Sequence, residues 1–222
     1  MSVLSPAQGY ALWAPTYGET AVTTLEASMV TSLDLPLAGR RVLDVGCGTA
    51  RRLAPARRAG ASLTAGVDLT PAMLARAADP ELLAAADVRA LPIADGAFDV
   101  VWCRLVLGHV AELAAAYAEL ARACAPGGIV LVTDFHPAAV AAGHRRTFRD
   151  ANGALHELEN HLHDVHAHRL AAARAGLALH DLRDRVVNDA VRDFYERAGR
   201  LDMYERQLGL PLVLALVFTR AE

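Results

Sequence analysis

A short apolar run that ends in two closely spaced glycines constrains this chain more than any other feature. Arg41–Val45 has the composition of a buried strand, and Gly46 and Gly48 follow it directly. Thr49–Ala59 then has a helical pattern that stops at Gly60. Because glycine lets the backbone turn sharply and approach other groups closely, the segment predicts a strand, a tight turn and a helix. This is the opening unit of a doubly wound α/β fold.

Strand-like and helix-like segments alternate along the rest of the chain. The predicted strands are Arg41–Val45, Ser62–Val67, Leu82–Ala86, Phe98–Cys103, Ile129–Asp134, Leu177–Val187 and Leu212–Thr219. Helical patterns lie between them, as in Ala111–Cys124, Asp164–Ala175, the mostly helical Asp189–Leu208 and the segment that Thr70–Pro71 opens. Such alternation favours right-handed crossovers and a parallel sheet covered on both faces. The prediction is a Rossmann-like, doubly wound α/β fold with a mostly parallel seven-stranded sheet, an antiparallel edge strand and a small cap insertion.

The length of 222 residues fits one domain, divided into four segments. Residues 1–38 are predicted to form an N-terminal helical lid, and residues 39–135 the ligand-binding core. Residues 138–162, with a turn at Asn152–Gly153 between possible hairpin arms, are predicted to cap the carboxyl edge of the sheet. Residues 163–222 complete the sheet.

Charge and composition disfavour several classes of function. The net charge is −3, and the 22 basic residues, all arginine, form no extended basic stripe, so a nucleic-acid partner is not expected. No apolar run is long enough for a membrane span, and the first residues do not have the pattern of a secretory signal. The three scattered cysteines favour a reducing compartment, so we expect a cytoplasmic protein without disulfides.

Three acidic residues near the glycine turn indicate the chemistry of the ligand. Asp44 precedes the glycines, Asp68 ends the second strand, where a carboxylate can bind both ribose hydroxyls, and Asp87 follows the third strand. Position 51, where a dinucleotide-binding loop would have a third glycine, is Arg51. A carboxylate at position 44 is unfavourable for phosphates and suits an ammonium group. The pattern therefore predicts an adenosine ligand that carries an ammonium group and no phosphates.

With these residues in place, the sequence closely resembles the class I S-adenosylmethionine-dependent methyltransferases. The resemblance is strongest to the small-molecule branch, methyltransferase type 11, which includes the ubiquinone and menaquinone enzymes. It covers roughly residues 40–135, and its matching stretches are LDVGCGTA, GVDLTPAML, AADVRALPIADGAFDVVWCRLVLGHV and ELARACAPGGIVLVTDF. One difference from the family is Ala50, at a position where glycine is common. The difference weakens the resemblance little, because many members have alanine at this position.

The resemblance implies a role for each matching residue. S-adenosyl-L-methionine would be the cofactor, S-adenosyl-L-homocysteine the product, and no metal would be bound. The residues implied to hold the cofactor are Asp44, Gly46 and Gly48 at the methionine part, Asp68 at the ribose, and Leu69, Asp87 and Val88 at the adenine. The same resemblance implies that Cys103 and Arg104 line the methyl-transfer end and that Tyr10 and Tyr17 close over the cofactor.

The histidines are the candidates for a base or an acceptor contact. His136 is the first choice because it lies just beyond the fifth strand, where α/β folds bind ligands, and His163 is the second. His109 could reach the same place or only pack there. The crowded histidines 156, 161, 163, 166 and 168 could also offer metal ligands, but their spacing does not put them on one helix face.

The predicted function is methyl transfer to an oxygen, nitrogen or carbon atom of a small molecule, possibly in specialised metabolism, by a monomer or homodimer. One alternative is the same fold with non-methylating, cyclase-like chemistry. Others are a macromolecule methyltransferase and a nicotinamide-dependent oxidoreductase.

Overall fold

The computed structural model describes residues 2–78 and 82–222, whose strands form two sheets. The strands are β1 (Ser2–Leu4), β2 (Arg41–Val45), β3 (Leu63–Asp68), β4 (Leu83–Ala85), β5 (Phe98–Arg104), β6 (Cys124–Phe135), β7 (Thr147–Arg149), β8 (Leu155–Leu158), β9 (Leu177–Val186) and β10 (Pro211–Arg220). The α-helices are α1 (Pro6–Trp13), α2 (Ala21–Ser32), α3 (Leu53–Arg58), α4 (Pro71–Leu74), α5 (Leu113–Ala123), α6 (Pro137–Ala141), α7 (Val165–Arg174), α8 (Arg192–Arg197) and α9 (Leu201–Gln207).

The large sheet has seven strands in the order β4-β3-β2-β5-β6-β10-β9, which confirms the predicted fold class. Neighbouring strands run parallel from β4 to β6, whereas β10 is antiparallel to both β6 and β9. The antiparallel strand therefore lies one position inside the edge, and β9 is the edge strand itself. The carboxyl ends of β2, β3, β5 and β6 meet along one side of the sheet, where such folds bind their ligands.

A hydrophobic core lies on each face of this sheet, and β10 shows why. Its alternating residues Leu214, Leu216 and Phe218 belong to the core on one face. Val213, Ala215 and Val217 belong to the core on the other face. Side chains alternate along a strand, so a central strand covered on both faces must be apolar at every position.

The cap is a β-hairpin that also binds the N-terminal strand. Strands β7 and β8 pair antiparallel around the turn at Asn152–Gly153, as the sequence predicted. Gly153 has φ +81°, a conformation that glycine adopts without strain. The short strand β1, which was not predicted, pairs in parallel with β8, so lid and cap form one three-stranded sheet.

Two predicted helices are shorter than expected. The helix after the glycine turn begins only at Leu53, since Ala50 has φ +57° and interrupts helical geometry. The segment Asp189–Leu208 is a 3₁₀ turn followed by two helices that Gly199, with φ +64°, separates. Within residues 2–78 and 82–222, no helix has the length and apolar character required to cross a bilayer.

Candidate active site

A cavity of about 460 Å³ lies over the carboxyl ends of the parallel strands. Its floor comes from the segments that follow β2, β3, β4 and β5, and its roof comes from the lid and the cap. Nine of the eleven residues expected to bind the cofactor line it: Tyr10, Tyr17, Gly46, Gly48, Asp68, Leu69, Asp87, Val88 and Arg104. The structure thus brings together most of the residues expected to bind cofactor.

The glycine turn can form only with glycine at its first position. Gly46 has φ +73°, and a Cβ there would collide with the side chain of Val106. Gly48 has φ +59°, which also favours glycine. The turn is closed by Val67, whose carbonyl accepts hydrogen bonds from the N–H groups of Gly46 and Cys47, at 2.7 and 3.0 Å.

Asp68 is held rigidly at the opening of this turn. Its carboxylate accepts the backbone N–H of Gly48 on one oxygen, at 2.7 Å, and that of Thr70 on the other, at 2.8 Å. Burial raises the pKa of Asp68, and the two backbone hydrogen bonds oppose that rise. Each oxygen keeps a lone pair for a ligand hydroxyl, as a pair of ribose hydroxyls requires.

The end of the cavity that the resemblance assigns to an adenine contains residues from two loops. Asp87 accepts two side-chain hydrogen bonds from Arg89, at 2.5 and 2.9 Å, and these lower its pKa. The buried Val88 and the half-exposed Leu69 add apolar surface beside it.

Asp44 lies behind the turn rather than on the cavity surface. It is fully buried, and neither carboxylate oxygen has a hydrogen-bond partner among the described residues. The nearest cation is Arg52, with Nη1 3.8 Å from Oδ2. Burial raises the pKa of Asp44, whereas Arg52 and Arg104 lower it. An unsatisfied buried acid at this place favours a cationic group nearby and disfavours a phosphate.

Aromatic side chains of the lid form the roof. Tyr10 stacks on Trp13 with ring centroids 5.8 Å apart, and Tyr17 meets Trp13 edge-on at 4.9 Å. Trp13 in turn stacks on Phe148 of the cap at 5.0 Å. Arg51 lies over the Tyr17 ring, 5.7 Å from its centroid. This aromatic group connects lid and cap above the cavity.

Arg104 reaches the cavity, but its guanidinium is occupied by Glu26 of α2. Nε and Nη2 of Arg104 donate to the two oxygens of Glu26 at 2.7 and 2.8 Å, and Thr133 donates to one of them at 2.9 Å. Glu26 is 1% exposed and was missed in the sequence. The sequence could have indicated it, because Glu26 lies on the same helix face as the apolar Leu25 and Met29, and an acid buried on such a face must be paired. Cys103 is fully buried and does not line the cavity.

His136 and His163, the two predicted catalytic residues, do not line the cavity. His136 caps α6, its Nδ1 accepting the N–H of Ala138 at 3.1 Å. His163 donates from Nε2 to the carbonyl of Val110 at 2.7 Å. The histidines that do line the cavity are His109 and His161. Within the described parts of the chain, no three His, Cys, Asp or Glu side chains form a group that could hold a metal ion.

The hydrogen bonds of His109 define its tautomer. Arg146 can only donate, and its Nη1 lies 2.8 Å from Nε2 of His109, so that nitrogen is the acceptor. The carbonyl of Glu159 can only accept, and it lies 2.9 Å from Nδ1, so that nitrogen carries the hydrogen. The hydroxyl of Tyr10 also lies 3.1 Å from Nε2. Burial and the charge of Arg146 lower the pKa of His109 to about 3, so the imidazole is neutral at pH 7 and is not a useful base.

Arg146 is the centre of a buried network that the sequence did not reveal. It donates from Nη2 to Asp134 at 2.7 Å and from Nη1 to the carbonyl of Leu105 at 2.8 Å. Gly108 makes room for it, because a Cβ there would lie 2.9 Å from Asp134 Oδ1 and 3.0 Å from Arg146 Nη2. The network fixes the cap to the end of β6.

His161 is the second histidine that lines the cavity. Its imidazole is one-third exposed, and Nε2 lies 3.6 Å from Oε1 of Glu159. That carboxylate favours the tautomer with hydrogen on Nε2, which leaves Nδ1 able to accept a proton. The backbone N–H of His161 donates to the carbonyl of Gly108, so the backbone of His161 is fixed to the segment after β5.

Comparison with known proteins gives one matching family. Residues 43–132 match the methyltransferase domain family. Over 183 residues the chain is 31% identical to malonyl-acyl-carrier-protein O-methyltransferase of Dechloromonas aromatica, an alignment that covers 79% of this chain and 66% of that protein. The chain covers 38% to 61% of four further relatives of the same name, so it spans less than two thirds of these relatives.

Solved structures share the whole fold. An S-adenosylmethionine-dependent methyltransferase from Mesorhizobium loti has a TM-score of 0.69 at 24% identity, over 88% of this chain and 98% of that one. The cyclase SpnF has a TM-score of 0.68 at 20% identity, over 100% of this chain and 99% of that one. These likenesses show the fold, and the fold is used for more than one chemistry. The sequence matches and the fold together place the chain in the class I S-adenosylmethionine-dependent methyltransferases.

Proposed function

We propose that this chain transfers a methyl group from S-adenosylmethionine to an oxygen, nitrogen or carbon atom of a small molecule, in specialised metabolism rather than in a housekeeping step. The observation that carries the proposal is the carboxylate of Asp68, fixed by two backbone N–H groups at the opening of the glycine turn. It stands in a cavity whose other walls can hold an adenine and an amino acid.

The residues present fit the cofactor. Asp68 would accept the ribose hydroxyls, while Leu69, Asp87 and Val88 would surround the adenine. The carboxylate of Asp44, which accepts no hydrogen bond from the described residues, would provide a negative field for the ammonium group, and the Gly46–Gly48 turn would let the methionine part lie against the backbone. When bound, the cofactor supplies an electrophilic methyl group on a sulfonium centre.

The chain's own contribution is alignment, exclusion of water and removal of a proton. The lid tyrosines and Trp13 close the cavity above the reacting groups, which favours an in-line approach of the acceptor. Nδ1 of His161 would take the proton of a phenol, amine or acidic carbon as the new bond forms, and Glu159 would stabilise the imidazolium. His109 would stay neutral and hold the hydroxyl of Tyr10.

The acceptor is proposed to be small because lid and cap enclose the cavity. The lining carries paired arginines, such as Arg104 with Glu26 and Arg146 with Asp134, rather than an open basic groove for a nucleic acid. A cytoplasmic location is part of the proposal, and it is supported by three cysteines that are all unpaired and buried.

The test is to incubate the protein with S-adenosylmethionine and a panel of small phenols, amines and acidic carbon compounds. S-adenosylhomocysteine formed in an acceptor-dependent manner supports the proposal, and Asp68→Asn should abolish it. Asp95→Asn is the matched control, because Asp95 is exposed and pairs with Arg122 away from the cavity.

The alternatives give different results. Tight cofactor binding without any turnover across the panel would support non-methylating, cyclase-like chemistry. Methyl transfer to RNA or protein, but to none of the small acceptors, would support a macromolecule methyltransferase.

A further inference from the structure

The outer strand of the large sheet has an unpaired edge. Strand β9 pairs with β10 on one side and, within residues 2–78 and 82–222, with no strand on the other. Six of its ten residues are exposed, including Leu179 and Leu182, at 37% and 47%. An edge of this length and apolar content is a template for pairing with another strand.

We infer that β9 pairs antiparallel with β9 of a second copy of this chain, about a two-fold axis at Leu182. In a two-fold pair of this kind, Leu182 faces the same residue of the other copy, and the two residues beside it face each other. Asp181 of each copy then stands opposite Arg183 of the other.

The charge pattern distinguishes this register from its neighbours. Moving the axis onto Asp181 places that aspartate opposite itself, and moving it onto Arg183 places that arginine opposite itself. Of these three registers, only the one centred on Leu182 gives opposite charges at the pair beside the axis, and opposite charges on facing residues favour pairing.

Local geometry also supports the pairing. Asp181, Leu182 and Arg183 are in regular register with Val217, Leu216 and Ala215 of β10, and the two register shifts lie outside this stretch, one at His180 and one beyond Arg185. Arg183 donates from Nε and Nη2 to Asp181 of its own strand, at 3.0 and 2.9 Å, which orders both side chains on one face. Four charges would thus form one ring across the axis.

This dimer would leave the cavity open. Strand β9 is four positions from β2 in the sheet, which is about 19 Å at the usual spacing between strands. The inference therefore does not depend on the proposed function, and either can fail without the other.

The test measures association of the full chain by sedimentation velocity between 1 and about 200 µM. The wild-type chain should dimerise with a dependence on concentration, and Asp181→Arg or Arg183→Asp alone should weaken the dimer at least tenfold. An equimolar mixture of these two variants should associate where neither does alone, because each arginine then faces an aspartate. The double variant that exchanges the two charges should dimerise like wild type.

Circular dichroism verifies that each variant is folded, and recovery of association in the mixture cannot come from a misfolded chain. Glu205→Arg, a charge reversal on the exposed face of α9, is the control and should leave the dimer intact. A wild-type chain that stays monomeric over the whole range would overturn the inference. So would variants that dimerise as tightly as wild type, a mixture that does not associate, or a control that weakens the dimer equally.

Discussion

At the scale of single residues, Asp68 serves the turn and the ligand with the same carboxylate. Its hydrogen bonds from Gly48 and Thr70 fix the ends of two loops, and the lone pairs that remain face the cavity. A charge-assisted hydrogen bond contributes about 1.5–3 kcal/mol. A substitution here therefore changes both the local backbone and the affinity for an adenosine.

The proposed base gives the first prediction. His161→Gln should lower turnover by about 10²-fold or more, the usual contribution of a positioned base, and should leave cofactor affinity unchanged. Steady-state rates of S-adenosylhomocysteine formation and calorimetric titration of the cofactor measure the two quantities separately.

His163→Gln and His136→Gln are the matched controls for that prediction, because neither histidine lines the cavity and each is bound to a backbone group. Each should keep turnover near the wild-type value. If His161→Gln also keeps it, the proton has another acceptor.

Gly108 gives the second prediction. Gly108→Ala should lower the free energy of unfolding by about 1–3 kcal/mol, because the new methyl group would press on Asp134, Arg146 and Asn160. Gly18→Ala is the control, since a Cβ there has only one neighbour, at 3.9 Å. Urea unfolding at pH 7 compares them, and equal losses in the two variants would show that Arg146 moves aside freely.

At the scale of elements, local pattern predicted the seven strands of the large sheet, most helices and the cap hairpin. It predicted the glycine turn and the acids around it because those residues are close in sequence to the strands that position them. It did not predict β1, whose three residues become a strand only through β8, about 150 residues away. The pairing of Glu26 with Arg104 depends equally on residues that are distant in sequence. The same is true of the contacts that place His109 and His161 at the cavity. His136 and His163 lack such contacts and do not line it.

His109 connects the lid to the cavity wall and gives the third prediction, which concerns the pH dependence of stability. The folded-state pKa of His109, about 3, lies below its unfolded value near 6.5, so between these values the unfolded chain binds a proton that the folded chain does not. The stability contributed by this group is complete above pH 6.5 and is lost as the pH falls toward 3. The loss is about 1.4 kcal/mol per pH unit, or about 2 kcal/mol between pH 6.5 and 5.

His109→Gln isolates that contribution, because glutamine can still accept from Arg146 and donate to the carbonyl of Glu159. The variant should lose less stability than wild type between pH 7 and 5, by about 2 kcal/mol in urea unfolding. The other buried histidines with lowered pKa, His144 and His168, are present in both proteins and cancel in the difference. Equal losses would mean that His109 takes up its proton in the folded protein.

At the scale of the whole molecule, the strand order brings the ligand-binding loops together at one edge while the lid and cap cover them. A ligand that binds only this folded arrangement must stabilise it. At 100 times its dissociation constant, S-adenosylhomocysteine should add about 2.7 kcal/mol, which for a chain of this size raises the Tm by about 5–11 °C.

Differential scanning fluorimetry measures that shift, and NADH at the same concentration serves as the comparison ligand. Asp68→Asn should reduce the shift for S-adenosylhomocysteine, whereas Asp95→Asn should retain it. A larger shift with NADH would instead indicate an oxidoreductase.

The parallel pairing of β1 with β8 has a consequence for the order in which the molecule is made. Ser2 leaves the ribosome well before its partner His156, which is synthesised 154 residues later. At typical elongation rates of about 5–20 residues per second, that interval lasts on the order of ten to thirty seconds. The nascent chain can form its first βα units during this time, but the roof of the cavity must wait for the cap. A ribosome-bound chain therefore acquires its cofactor-binding floor before it can enclose an acceptor.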